Sequence, residues 1–119
     1  MNLERQIVFH PFRLDGVNER LWRGSELIPL RPKSFAVLRY LVEHRGQLVS
    51  KKELMQVVWA DAHVTDAVLK VCIREIREGL GEEAAVPRFI ETEPRRGYRF
   101  IGEVNGPHVS GALRQLAHH

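Results

Sequence analysis

The 119-residue sequence predicts an α+β fold with a leading antiparallel sheet, three successive helices and a closing β-hairpin. Three observations carry that expectation. Short stretches of alternating apolar residues broken by turn dipeptides fill the first part of the chain. Apolar residues at helical 3/4 spacing occupy the middle, and two β-branched and aromatic stretches around a Pro/Gly turn follow.

From residue 7 to 14 the pattern IVFHPFRL alternates apolar positions, and Pro11, which cannot donate to a strand ladder, splits it into two short strands or bends one. Asp15-Gly16 opens a turn. Residues 20–23 (RLWR) and 26–30 (ELIPL), joined by Gly24-Ser25, read as a hairpin. Pro32 stands at a first helical position, where its missing N–H costs nothing, and Phe35, Leu38, Leu41 and Val42 keep the helical period until Gly46 ends it. Ser50 and Glu53 have the spacing of a capping box, each expected to satisfy a free donor of the other, at the head of a short helix running to Trp59.

A loop, ADAH, leads to residues 64–80, VTDAVLKVCIREIREGL. Leu69, Ile73, Ile76 and Leu80 fall on one stripe with Cys72 beside it, so these are the candidate core. Asp66, Lys70, Arg74, Arg77 and Glu78 occupy the other face. Thr65 or Asp66 is expected to cap the start, and Gly79 and Gly81 sit where helices end. Ala67 and Val71, small and apolar, lie near Lys70 and Arg74, which brings cations and a methyl-contacting surface to one face, as a DNA groove requires. Coming after a short helix and a short turn, this is the order of a helix-turn-helix.

Beyond Gly81 the segment EEAAVP is polar and acidic, with Glu82 and Glu83 expected to be solvated charges. Residues 88–92 (RFIET) and 98–101 (YRFI) then read as two strands. Pro94 and Gly97 are expected to make the tip between them a turn from which Arg95 and Arg96 project, the wing of a winged helix. Residues 105–119 are punctuated by Gly and Pro and are expected to be a tail or the start of a linker, leaving one domain over residues 1–104.

Composition bounds what such a chain does. A hydrophobic content of 44% is enough for a core without disulfide or metal staples, and a single cysteine beside the buried stripe reads as a small apolar group. No apolar run approaches the roughly 20 residues that span a bilayer, and the start lacks a signal-peptide segment, so a cytoplasmic location is expected. The net charge of +3 permits a polyanion partner without demanding one. Within residues 64–104 the balance is −1, so any nucleic-acid contact depends on where the cations sit. Histidines 10, 44, 63, 108, 118 and 119 show no metal-site spacing, and the phosphate-cradling and nucleophile-elbow motifs are missing; no enzyme, metal or cofactor is expected.

Taken together, IPLRPKSFAVLRYLVEHRGQLVSKKEL, VVWAD, VTDAVLKVCIREIREGLG and RFIETEPRRGYRFIG resemble, in this order over roughly residues 6–102, the OmpR/PhoB-type winged helix-turn-helix domain of bacterial transcription regulators. The resemblance implies sequence-specific binding of double-stranded DNA, with residues 64–80 as recognition helix in the major groove and the wing, 88–101, at the minor groove. Trp59, Arg74, Arg77, Thr92 and Tyr98 match positions where the family contacts phosphate or base, Lys70 and Val71 match groove-facing ones, and Thr65 opens the recognition helix. It further implies a loop at 59–64 that faces RNA polymerase, and a monomer that binds DNA head to tail in pairs. The tip ETEPRRGYRF is similar to members whose winged helix stands at the N-terminus with no phosphate-receiver domain ahead of it. This sequence departs from the pattern at two positions. Glu75 stands where a basic residue is frequent, which would shift base preference toward a cytosine amino group, and Arg31 stands where a Thr or Ser cap is frequent. The alternative, from a different class, is a protein-interaction domain that keeps the fold without binding DNA.

Overall fold

The computed structural model describes residues 6–104. Its elements are β1 (Gln6–Phe9), β2 (Phe12–Asp15), β3 (Arg20–Arg23), β4 (Glu26–Ile28), α1 (Pro32–Glu43), β5 (Leu48–Ser50), α2 (Lys51–Val58), α3 (Asp66–Leu80), β6 (Ile90–Glu93) and β7 (Gly97–Phe100). They gather into two compact units, one holding the first four strands and one spanning Pro29–Gly102. The expected tail at 105–119 lies outside the described residues.

The first unit is an antiparallel meander in the order β1-β2-β3-β4. Register sets Ile7 opposite Leu14, Leu14 opposite Leu21 and Leu21 opposite Ile28, a row of branched side chains across all four strands. Such cross-strand pairs are the stabilising unit of a sheet. The His10-Pro11 turn, with a cis peptide, separates β1 from β2, so the alternating stretch is two strands and not one bent strand. The Asp15 carboxylate accepts from the Val17 and Asn18 amides at 3.1 Å and from the Asn18 side chain at 2.8 Å, which closes the turn into β3.

In the second unit α1 starts with Pro32 at N1 and buries Phe35, Val37, Leu38, Leu41 and Val42. The α3 stripe is core as expected: Leu69, Cys72, Ile73, Ile76 and Leu80 are all buried. At the head of α2 only half of the capping box forms. The Ser50 hydroxyl accepts from the Glu53 amide at 3.0 Å, but the Glu53 carboxylate takes the Tyr40 hydroxyl of α1.

That strand is absent from the sequence-based expectation. It makes the wing the rest of a three-stranded sheet, order β5-β7-β6, with Val49 opposite Tyr98. The role of Gly97 changes accordingly. It lies in β7, not in the turn, and a Cβ there would come within 1.9 Å of the Val49 carbonyl oxygen, so glycine is what lets β5 approach. Gly79 stands inside α3, and Gly81, in the left-handed region at φ 69°, ends it.

Candidate functional site

The exposed side of α3 is held at both ends by ion pairs. Thr65 occupies the N-cap position without a side-chain cap bond, and it is exposed. The Asp66 carboxylate lies 3.3 Å from Lys51 of α2 and 3.4 Å from Lys70 one turn on. Burial alone would raise its pKa, but the hydrogen bonds from the two lysines outweigh that and hold it below the usual value. Asp66 thereby fixes α2 to the start of α3, the geometry of a helix-turn-helix.

At the other end a carboxylate expected in solvent is an internal anchor. The Glu82 side chain is fully buried and accepts from the backbone amides of Arg88 (2.8 Å), Phe89 (2.5 Å) and Ile90 (3.0 Å). Beside it lies Arg77 at 3.7 Å, whose guanidinium also donates to the Ile90 carbonyl at 3.0 Å and the Thr92 hydroxyl at 2.8 Å. A buried charge persists only when paired and hydrogen-bonded, and here both conditions hold. Glu82 follows the Gly81 cap directly, so the chain turns back under the helix end and carries the carboxylate inward.

Lys70, Arg74, Arg77, Thr92 and Tyr98, five of the predicted site residues, line one open cleft of about 400 Å³ between α3 and the wing. Lys70 and Arg74 are exposed, Arg77 is committed to Glu82 and β6, and Tyr98 is buried, with burial pushing its phenol pKa up. Trp59 and Val71 line a different concave surface, of about 620 Å³, with Val68, Cys72 and the first turn of α1. Arg95 and Arg96 are exposed at the wing tip, Arg95 at φ 68°, and the Arg96 carbonyl accepts from the Lys51 amide at 3.1 Å.

Glu75 departs from the groove-facing expectation. Its carboxylate turns to α1, accepting from the Ser34 hydroxyl at 2.5 Å and pairing with Arg31 at 2.7 Å. Those two contacts, the Ser34 bond first, hold its pKa below the ordinary value. The two departures from the family pattern are thus partners of one another, which no reading of either position by itself reveals. Glu91 and Glu93 on the wing are likewise consumed by Arg99, at 2.7 and 3.4 Å. With Asp66, Glu75, Glu82, Glu91 and Glu93 all paired internally, Arg74, Arg95 and Arg96 stand as exposed cations on a segment whose count is near neutral. Among the described residues no cluster of His, Cys, Asp and Glu is placed to hold a metal ion, and no helix is long and apolar enough to cross a membrane.

The family described as "Transcriptional regulatory protein, C terminal" matches residues 24–100. The chain belongs to this family. Its fold is the OmpR/PhoB-type winged helix-turn-helix. The transcriptional regulator HilA of Salmonella typhimurium is 38% identical over 96 residues, covering 81% of this chain and 17% of HilA. The phosphate regulon transcriptional regulatory protein PhoB of Escherichia coli is 30% identical over 101 residues, covering 84% of this chain and 44% of PhoB. The chain therefore spans less than half the length of these relatives. Among solved structures, the Klebsiella pneumoniae RstA DNA-binding domain in complex with RstA box superposes with a TM-score of 0.72 at 27% identity, covering 82% of this chain and 97% of the RstA domain. The family is one of transcriptional regulators and not an enzyme class.

Proposed function

We propose that this chain is the sequence-specific, double-stranded-DNA-binding module of a transcriptional regulator, with α3 in the major groove and the β6–β7 wing at the adjacent minor groove. The observation that carries this is the convergence of Lys70, Arg74, Arg77, Thr92 and Tyr98 on one open cleft between the two elements, with Arg95 and Arg96 beyond it. In this reading Lys70, Arg74 and Thr65 meet phosphate or base from α3, Val71 meets a thymine methyl, Trp59 flanks the backbone, Thr92 contacts phosphate from the wing, and Tyr98, buried beside the cleft, backs that contact by packing. Arg77 acts mainly as the strut that holds wing to helix, with its outer edge toward the cleft. The exposed residues 60–63 offer a surface for RNA polymerase, and the domain is a free monomer that pairs head to tail on DNA.

The reading as a protein-interaction domain drew its support from the near-neutral charge of residues 64–104. Five of the eight carboxylates there, Asp66, Glu75, Glu82, Glu91 and Glu93, are paired internally, which weakens that support and leaves Glu78, Glu83 and Glu103 exposed. Gel retardation against mixed duplex fragments at two salt concentrations tests the function. Binding is expected to weaken steeply with salt, because each neutralised phosphate contributes about 0.9 to the slope of log affinity against log salt. Absence of any retarded species at low salt would refute it.

A further inference from the structure

We propose that Arg31, outside the helix-turn-helix, is a base-reading residue, and that Glu75 is the positioning residue that aims it. The inference rests on the DNA-binding reading above. Val68, Val71 and Glu75 follow one another at spacings of three and four and so lie along one line of α3. Val68 is 39% exposed, and with Val71 and Trp59 it lines the same concave surface as Arg31, Pro32, Lys33 and Ser34. Arg31 therefore stands at the edge of an apolar, solvent-open strip of α3, not on a remote surface.

Its guanidinium is aimed from behind. Glu75 Oε2 holds Arg31 Nη2 at 2.7 Å, while Oε1 is fixed by the hydroxyl of Ser34, a residue with no exposed surface. The Arg31 side chain nevertheless remains 65% exposed. A guanidinium has five N–H donors in a planar fork, so one edge is taken by the carboxylate and donors remain for a second acceptor.

The charge balance decides what that acceptor is. Arg31 and Glu75 cancel, so the pair adds little to a sequence-independent attraction for phosphate. What it supplies is a fixed direction, which lowers the ordering cost of docking and suits the paired acceptors on a guanine edge, O6 and N7. Glu75 thus bears on sequence preference through Arg31, and not by accepting from cytosine.

The test is selection of bound duplexes from a randomised library with the 119-residue wild type, Arg31→Ala, Glu75→Gln and the double variant, alongside salt titrations on the best wild-type site. Arg31→Ala is expected to lose preference for guanine at one base pair, by roughly 5- to 150-fold, and the double variant, which removes both charges, to lose it with the salt slope unchanged. Glu75→Gln keeps an acceptor for Ser34, and it is expected to weaken the same preference at the same base pair. The double variant should be no worse than Arg31→Ala alone, the signature of residues acting as one unit. Circular dichroism and thermal melts confirm that each variant is folded; should Arg31→Ala fail to fold, Arg31→Lys, which keeps charge but not the fork, is expected to lose the guanine preference instead. Uniform weakening across all sequences with a flatter salt slope would make Arg31 a phosphate contact and overturn the inference. So would loss of a cytosine preference in Glu75→Gln with Arg31→Ala unaffected. Either result leaves DNA binding itself intact, whereas a wild type that selects no duplex removes both readings.

Discussion

A buried carboxylate with three amide donors and a guanidinium for company is expensive to disturb. Removing one partner of such a group strands the other in a poor dielectric, so Glu82→Ala should destabilise the domain by about 3 to 5 kcal/mol in urea titrations. Truncation of an exposed carboxylate such as Glu83, in the same loop, is expected to fall within about 0.5 kcal/mol. Glu75 gives a prediction in pH. Its folded pKa lies below the ordinary 4.5, so its contribution to stability is fully present above that value and is lost as pH falls through the folded pKa. The stability difference between wild type and Glu75→Gln should be constant near neutrality and shrink below pH 4.5, as followed by chemical denaturation at stepped pH. Neither role is legible in the sequence. The sequence reads Glu82 as solvated charge in an acidic loop and Glu75 as a residue bearing on base preference, and only the tertiary approach of Ser34, Arg31 and residues 88–90 reveals their partners.

Elements were far more legible than partners. The α3 stripe, the Pro32 start of α1 and both strands of the wing follow from periodicity and turn chemistry, because those signals repeat along the chain and average out single exceptions. Strand β5 escaped for the opposite reason. It has three residues, too few for alternation to register, and it runs straight into α2, whose capping signal at Ser50 masks it. Its existence explains Gly97, and a variant tests the connection. Gly97→Ala would drive a methyl into the Val49 carbonyl, and the expected result is separation of β5 from β7 with a lowered melting temperature, beyond the about 1 kcal/mol that an alanine at an open glycine site would change. Unaltered melting of that variant would mean the strands part at no cost.

For the molecule as a whole, the formal charge is a poor guide to the electric field it presents. Five carboxylates of α3, the following loop and the wing are spent on internal pairs, while Arg74 on the helix and Arg95 and Arg96 on the wing face outward. A narrow minor groove concentrates negative potential, so the wing pair is expected to favour A·T-rich flanks. Replacing Arg95 and Arg96 together by Ala should flatten the salt slope by about one to two units and erase the flanking preference while sparing the major-groove site. A double variant with wild-type slope and flank preference would remove the wing from the interface.

Hydrogen exchange would read the Glu82 anchor as time. The amides of Arg88 and Phe89 lie outside any strand, where exchange is ordinarily fast, yet each is bonded to a carboxylate buried beneath the end of α3. Their protons are expected to exchange only when the helix end and β6 part, with the same opening free energy as the Ile90 amide. A common protection of these three amides would make the segment that joins helix to wing a latch that opens as one unit, and the spacing between α3 and the wing holds while that latch stays shut.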